Sequence, residues 1–79
     1  MGKEKTAIEA IFGQVLRELR SKTGLSQEKL ALEANLDRTY ISLLERGLRQ
    51  PSLKTIFILS SVLNVKPSKI VASVEYLMK

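Results

Sequence analysis

Apolar residues recur at intervals of three and four along most of the chain, which is the spacing of side chains on one face of an α-helix. The first such stripe predicts a helix with limits near residues 7 and 23. Thr6 followed by Glu9 has the spacing of a capping box at its start, and Gly24 can adopt the left-handed backbone that ends a helix. The apolar positions of this helix are Ile8, Ile11, Phe12, Val15, Leu16 and Leu19.

Two shorter helices follow, and each begins with a polar side chain that can cap it. Ser26 caps the second helix, which ends at Asn35 because asparagine tolerates the left-handed backbone. Asp37 caps the third helix, which runs to Arg46 and is closed by Gly47. The inward-facing residues of the second helix are Leu30, Ala31 and Ala34.

A fourth and a fifth helix complete the prediction. Ser52 caps the fourth helix, which reaches about Leu63 and ends at Asn64, and Pro67 suits the first turn of the fifth. No segment alternates with a period of two over the length of a strand, and no repeat or linker divides the chain. A chain of 79 residues has room for one domain. We therefore expect an all-α, compact five-helix domain over residues 1–79.

The composition excludes several kinds of chemistry. Because the chain has no cysteine and no histidine, it lacks thiolate nucleophiles, imidazole bases and the usual zinc ligands. Hydrophobic residues make up 44% of the chain, which is enough to form a core. We therefore expect a folded protein that is not an enzyme and that binds no metal or other cofactor.

The net charge of +5 favours polyanionic partners, which include nucleic acid and acidic membrane surfaces. The basic residues cluster around the second and third helices rather than along one amphipathic helix, which favours nucleic acid. Residues 1–6 are charged rather than apolar, and no run of about 18 apolar residues is present. We expect a cytoplasmic protein with no membrane partner.

Residues 26–47 combine the features of a rigid helix-turn-helix unit. A small residue, Ala31, stands where the two helices cross, and Asn35 supplies the turn. The shared inner face is formed by Leu30, Leu36, Ile41 and Leu44. Across residues 12–65 this spacing resembles the lambda-repressor-like (Cro/C1-type) helix-turn-helix family of DNA-binding proteins.

The third helix carries a closer resemblance. The sequence LDRTYIS at residues 36–42, followed by Glu45, Arg46, Gly47 and Arg49, is similar to the controller proteins that regulate restriction-modification gene clusters. The resemblance implies that the first and outward-facing residues of the third helix enter the major groove of DNA. These residues are Arg38, Thr39, Tyr40 and Ser42.

Arg38 and Tyr40 each have a second interpretation. Arg38 can donate two parallel hydrogen bonds to a guanine, worth roughly 1 to 3 kcal/mol of discrimination, or it can be a solvated side chain. Its cation opposes the helix dipole at the start of the third helix, a misfit that a bound guanine or phosphate offsets, which favours DNA contact. Tyr40 either contacts DNA or packs its ring on the second helix and exposes only its hydroxyl.

The resemblance also implies contacts outside the third helix. Gln27, in the first turn of the second helix, resembles the family glutamine that reaches a phosphate, although it can also be an ordinary capping residue. Arg20 and Glu45 are implied to form a structural ion pair that joins the first helix to the end of the third. The residues expected along the sugar-phosphate backbone are Arg46, Arg49 and Gln50.

A single recognition helix covers only a few base pairs, so we expect a homodimer with its recognition helices in major grooves about 34 Å apart on a pseudo-palindrome. Residues 52–78, the fourth and fifth helices, offer more apolar surface than a core requires, although this surface could instead complete a five-helix core. The candidate dimer contacts are Phe57, Ile58, Val62, Val71, Val74, Leu77 and Met78.

The sequence thus predicts a sequence-specific transcriptional regulator that binds operator DNA as a homodimer and alters the access of RNA polymerase, as restriction-modification controllers do. The alternative is an antitoxin or another protein-interaction module that uses the apolar segment at residues 71–78. The two hypotheses differ in what they require. A DNA reader loses specificity on Arg38→Ala, whereas an interaction module loses function when the fifth helix is blunted.

Overall fold

A computed structural model describes residues 7–78, which form five α-helices and no strand. The all-α, five-helix prediction is therefore confirmed. The helices are α1 Ile8–Thr23, α2 Gln27–Ala34, α3 Arg38–Glu45, α4 Leu53–Leu63 and α5 Pro67–Leu77.

The predicted caps are present at the starts of α2, α3 and α4. The side chains of Ser26, Asp37 and Ser52 each accept a hydrogen bond from a backbone N–H in the first turn that follows them. At the start of α1, the N-cap position is Ala7, which has no side chain to cap the helix. The predicted capping box rests on Thr6, which lies outside the described residues.

The predicted helix ends are also confirmed. Asn35 and Asn64 close α2 and α4 in the left-handed conformation, with φ of 56° and 60°. Helix α3 stops at Glu45 with Arg46 as its C-cap, and Gly47 follows with φ of 75°. Each of these ends depends on a residue that tolerates positive φ, which is why the sequence alone locates them.

Helix α1 packs closely against the end of α3, and glycine makes that approach possible. A Cβ built on Gly13 would lie 2.5 Å from the carbonyl oxygens of both Leu44 and Glu45. A Cβ on Gly47 would lie 2.8 Å from Ala10 Cα. The backbones of α1 and of the end of α3 are therefore in direct contact, which fixes the position of α3 on the core.

The core contains residues from all five helices, and it corrects one of the predicted dimer contacts. The side chain of Val74 is only 7% exposed and packs with Ile70, Leu59 and Leu63 in the hydrophobic core. Val74 lies one turn after Ile70 on α5, so the two share the inward face of that helix. It therefore has little surface to offer a second copy.

No single helix among residues 7–78 is long and apolar enough to cross a membrane. Helices α4 and α5 meet that test only as a pair, which is bent by 107° at the intervening turn.

Candidate nucleic-acid interface

Helix α3 has a buried face and an exposed polar face. Ile41, Leu44 and Glu45 are buried, whereas Arg38 and Thr39 are exposed and Ser42 is partly exposed. Residues 38 and 42 are four apart and therefore lie one above the other on the helix surface, with residue 39 beside them. The structure thus brings these three predicted base-reading residues together on one face, here called the polar row.

The polar row begins at a depression between the starts of α2 and α3. This depression, of about 360 Å³, is lined by Ser26, Gln27 and Glu28 at the start of α2, by Arg38 at the start of α3 and by Arg20 of α1. Arg38 is in the first turn of α3, where its cation opposes the helix dipole. A negatively charged or acceptor-rich ligand at this position relieves that repulsion.

The segment between α3 and α4 extends the basic surface. Arg46, Arg49 and Gln50 are all exposed there, and Lys54 is exposed in the first turn of α4. The structure places these side chains on the segment that directly follows the polar row. A positive border of this kind can neutralise phosphates along one edge of a polyanion.

Tyr40 does not share the polar row. Its side chain is partly buried against the core, and its hydroxyl lies 3.4 Å from Oγ1 of Thr55 in α4. The guanidinium carbon of Arg49 lies 5.8 Å from the centre of its ring. The hydroxyl therefore has a partner in α4, which neither sequence interpretation of Tyr40 anticipated.

Glu45, the last residue of α3, accepts hydrogen bonds from two other helices. Arg20 of α1 donates from Nε to Oε2 at 2.5 Å and from Nη2 to Oε1 at 3.0 Å. Gln27 of α2 donates from Nε2 to Oε1 at 2.9 Å. The Glu45 side chain is 0% exposed and that of Arg20 is 17% exposed, so the carboxylate is buried and the guanidinium is partly buried.

The protonation of Glu45 follows from these partners. Burial alone would raise the pKa of its carboxyl, but the hydrogen bonds from Arg20 and Gln27 and the charges of Arg20 and Arg17 hold that pKa below its ordinary value. The hydrogen bond to Glu45 raises the pKa of Arg20, against the opposing effect of burial. Both groups are therefore charged at neutral pH.

Gln27 is placed differently from both of its sequence interpretations. Its side-chain amide is held by Glu45, and the cap of α2 is supplied by Ser26, which accepts the N–H of Lys29 at 3.0 Å. The side chain is therefore part of the network around Glu45. The sequence contained no local signal for this contact, because residues 27 and 45 are 18 positions apart.

Arg17 is a further charge at this site that was not predicted from the sequence. Its Nε lies 3.6 Å from Oε1 of Glu45, and its side chain is 58% exposed. It stands three residues before Arg20, so both project from the same side of α1. The three-residue interval between Arg17 and Arg20 is the feature of the sequence that could have indicated a shared partner.

The predicted dimer surface is partly exposed. Phe57 on α4 is 56% exposed, whereas Ile58 and Val62 are partly buried against the core. The exposed large apolar residues on and just after α5 are Val71, Tyr76, Leu77 and Met78, of which Tyr76 was not among the predicted dimer contacts. Among the described residues, no group of three or more acidic side chains is placed to hold a metal ion.

An exposed polar row on the second helix of a capped helix-turn-helix unit, bordered by cations, defines a DNA-binding protein of the helix-turn-helix class. The sequence profile of the helix-turn-helix family matches residues 16–70, and the chain belongs to this family.

Comparison with individual proteins shows which members of the helix-turn-helix family this chain is similar to. The chain is 52% identical over 61 residues to Control protein C.BamHI of Bacillus amyloliquefaciens, covering 76% of this chain and 75% of that protein. Its fold matches the restriction-modification controller protein C.AhdI from Aeromonas hydrophila with a TM-score of 0.79 and 46% identity, covering 82% of this chain and 98% of that one.

A third relative has been solved with DNA. The restriction-modification controller protein C.Esp1396I, as a tetramer in complex with its natural 35 base-pair operator, matches with a TM-score of 0.80 and 29% identity, covering 91% of this chain and 95% of that one. The chain is thus a DNA-binding transcriptional regulator that is similar to restriction-modification controllers. The predicted resemblance to restriction-modification controller proteins is confirmed.

Proposed function

We propose that the protein binds a pseudo-palindromic operator as a homodimer and regulates the genes of a restriction-modification cluster from the cytoplasm. The observation that carries this proposal is the polar row of Arg38, Thr39 and Ser42, exposed on a helix whose opposite face is buried. In this proposal the protein binds DNA and has no catalytic activity, since its candidate site presents cations and hydroxyls but no nucleophile with an adjacent base.

The polar row reads bases, and each side chain has a distinct part. Arg38 donates two hydrogen bonds to O6 and N7 of a guanine, and Thr39 contacts a base with its hydroxyl or a thymine with its methyl group. Ser42, one turn after Arg38, adds a further hydroxyl at the same face. A bidentate contact from Arg38 supplies roughly 1 to 3 kcal/mol of discrimination against the wrong base.

Other residues hold the protein on the DNA without reading sequence. Arg46, Arg49 and Gln50 lie along the sugar-phosphate backbone beyond the end of α3. Gln27 contributes through its backbone N–H at the positive end of α2, because its side-chain amide is held by Glu45. These contacts fix the register of α3 in the groove.

Dimerisation places two recognition helices on one face of the DNA. The exposed apolar side chains of Phe57, Val71, Leu77 and Met78 form the contact surface, and the partly buried Ile58 and Val62 support it. Isolated exposed apolar residues are ordinary, but several on two adjacent helices are typical of an interface. The tetrameric operator complex of C.Esp1396I supports assembly on DNA for a protein of this fold.

The test is selection of binding sites from a randomised duplex library at two salt concentrations. We expect the wild type to enrich a pseudo-palindrome and Arg38→Ala to lose preference at one guanine per half-site while its fold persists. Lys69→Ala removes the same charge from the exposed surface of α5 and is the matched control, which should keep the preference intact. If no sequence is enriched, or if both variants lose binding equally as salt rises, the charge acts non-specifically and the proposal is wrong.

A further inference from the structure

We propose that Tyr40 is a positioning residue that ties the recognition helix to the start of α4 and holds Arg49 beside the DNA, and that it does not itself read a base. The inference rests on the proposed operator binding and assigns one residue of the same site. Three features of the structure carry it: the contact of the Tyr40 hydroxyl, the contact of its ring and its place around α3.

The hydroxyl of Tyr40 joins the hydrogen-bond network that caps α4. It lies 3.4 Å from Oγ1 of Thr55, which is only 7% exposed. Ser52 donates from Oγ to Thr55 Oγ1 at 3.0 Å and accepts from the backbone N–H of Thr55 at 3.0 Å. The Tyr40 hydroxyl therefore contacts the Thr55 hydroxyl, which is hydrogen-bonded to the capping side chain of α4, and it links that turn to α3.

The ring of Tyr40 provides the second contact. It packs against the core on one side, and the guanidinium carbon of Arg49 lies 5.8 Å from its centre. This distance is within the range of about 6 Å over which a cation is attracted to an aromatic face. A guanidinium that is already held beside the ring loses less conformational freedom when it meets a phosphate. The ring thus prepares Arg49 for its backbone contact.

The position of Tyr40 around α3 opposes direct base reading. Each residue of an α-helix is rotated by about 100° from the one before, so Tyr40 lies about 160° around the helix from Ser42 and about 40° from Leu44. Ser42 belongs to the polar row, and Leu44 is fully buried. Tyr40 therefore lies on the side of α3 that faces the core, nearly opposite Ser42 of the polar row.

The test for the hydroxyl is a double-mutant cycle on affinity for the selected operator. Tyr40→Phe removes the hydroxyl, and Thr55→Val removes its partner without changing the shape of the side chain. We expect each variant to weaken binding by about two- to tenfold, and the double variant to be no weaker than Thr55→Val alone, because Thr55→Val already removes this link together with the hydrogen bond from Ser52. The base preferences selected from the library should remain those of the wild type.

The test for the ring uses the dependence of affinity on salt. Tyr40→Leu and Arg49→Ala should each reduce the salt slope by about one phosphate contact, and combining them should reduce it no further. Arg46→Ala is the matched control because Arg46 is also exposed, whereas the guanidinium found over the ring is that of Arg49, so the effect of Arg46→Ala should add to that of Tyr40→Leu. A loss of stability alone does not change the salt slope, which separates positioning from a purely structural role.

Two results would overturn the inference. The first is a relaxed base preference in Tyr40→Phe with none in Thr55→Val, which would make the hydroxyl a direct reader. The second is that the effects add in both experiments: those of Tyr40→Phe and Thr55→Val on affinity, and those of Tyr40→Leu and Arg49→Ala on the salt slope. If the wild type enriches no sequence, the proposed function fails instead. NMR relaxation of the Arg49 side chain, measured in the free wild type and in free Tyr40→Leu, then still tests whether the ring holds the guanidinium. Equal mobility of Arg49 in the two proteins would refute the contact.

Discussion

Replacing Arg20 with methionine is expected to be among the most destabilising single changes in this protein. The substitution keeps the apolar stem of the side chain and removes the guanidinium. Glu45 would then keep its hydrogen bond from Gln27 and the more distant charge of Arg17, while its side chain remains 0% exposed. A buried charge that loses its main partner typically costs about 3 to 5 kcal/mol.

Replacing Glu45 with glutamine should reduce the free energy of unfolding by less than replacing Arg20, because Arg20 keeps more favourable surroundings when its partner is removed than Glu45 does. In Glu45→Gln, Arg20 keeps its hydrogen bond to the carbonyl of Leu25 at 2.9 Å and is 17% exposed, so water can still reach it. We expect a loss of about 1.5 to 3 kcal/mol, the range for hydrogen bonds to a charged group. A domain of this length has a total stability of roughly 4 to 12 kcal/mol, so either change removes a large part of it.

The measurement is urea unfolding followed by circular dichroism at pH 7, with Arg17→Met as the matched control. Arg17 is on the same helix and contacts the same carboxylate at 3.6 Å, but it is 58% exposed, so its replacement should cost less than about 1 kcal/mol. The reasoning is refuted if Arg20→Met costs no more than Arg17→Met, or if Glu45→Gln is the more damaging of the two buried changes.

Three further outcomes follow from the same structure. Gly13→Ala should destabilise the fold by about 1 to 3 kcal/mol in urea unfolding, since its Cβ would meet carbonyl oxygens at 2.5 Å; Ser21→Ala, on the exposed part of α1, should cost little. Because the pKa of Glu45 is lowered in the folded state, its contribution is complete above its ordinary value of 4.5 and is lost as pH falls through the lower folded value. Wild-type stability should therefore fall more steeply in acid than that of Glu45→Gln, and parallel pH curves would contradict this. Phe57→Ser should weaken dimerisation in sedimentation while leaving the protomer folded; an unchanged dimer would place the interface elsewhere.

Features that depend on neighbouring residues were predictable from the sequence. Ser26, Asp37 and Ser52 were identified as caps because a cap acts within its own first turn. Asn35 and Asn64 were identified as helix ends because their backbone preference is intrinsic. The five helices and the helix-turn-helix unit follow from such local signals combined with the spacing of apolar residues.

Features that depend on contacts distant in the chain were not predictable from local signals, and the Arg20–Glu45 ion pair, 25 positions apart, was anticipated only through the family resemblance. The close approach of α1 to α3 at Gly13 involves residues more than 30 positions apart, and periodicity alone gives no reason for a glycine there. The partner of Gln27 is equally remote. Val74 was assigned to the dimer surface because its stripe on α5 is wider than one face, and only packing decides which side of a wide stripe is buried.

The network around Glu45 explains how this small domain separates folding from recognition. One carboxylate at the end of α3 is hydrogen-bonded to α1 through Arg20 and to α2 through Gln27, so it fixes the orientation of the recognition helix from its last residue. Arg38 and Thr39 lie at the opposite end of that helix and are exposed. On the proposed function, we therefore expect substitutions in the polar row to change which bases are preferred with little effect on stability. Substitutions at Glu45 should reduce affinity for every sequence alike, because they displace the whole helix.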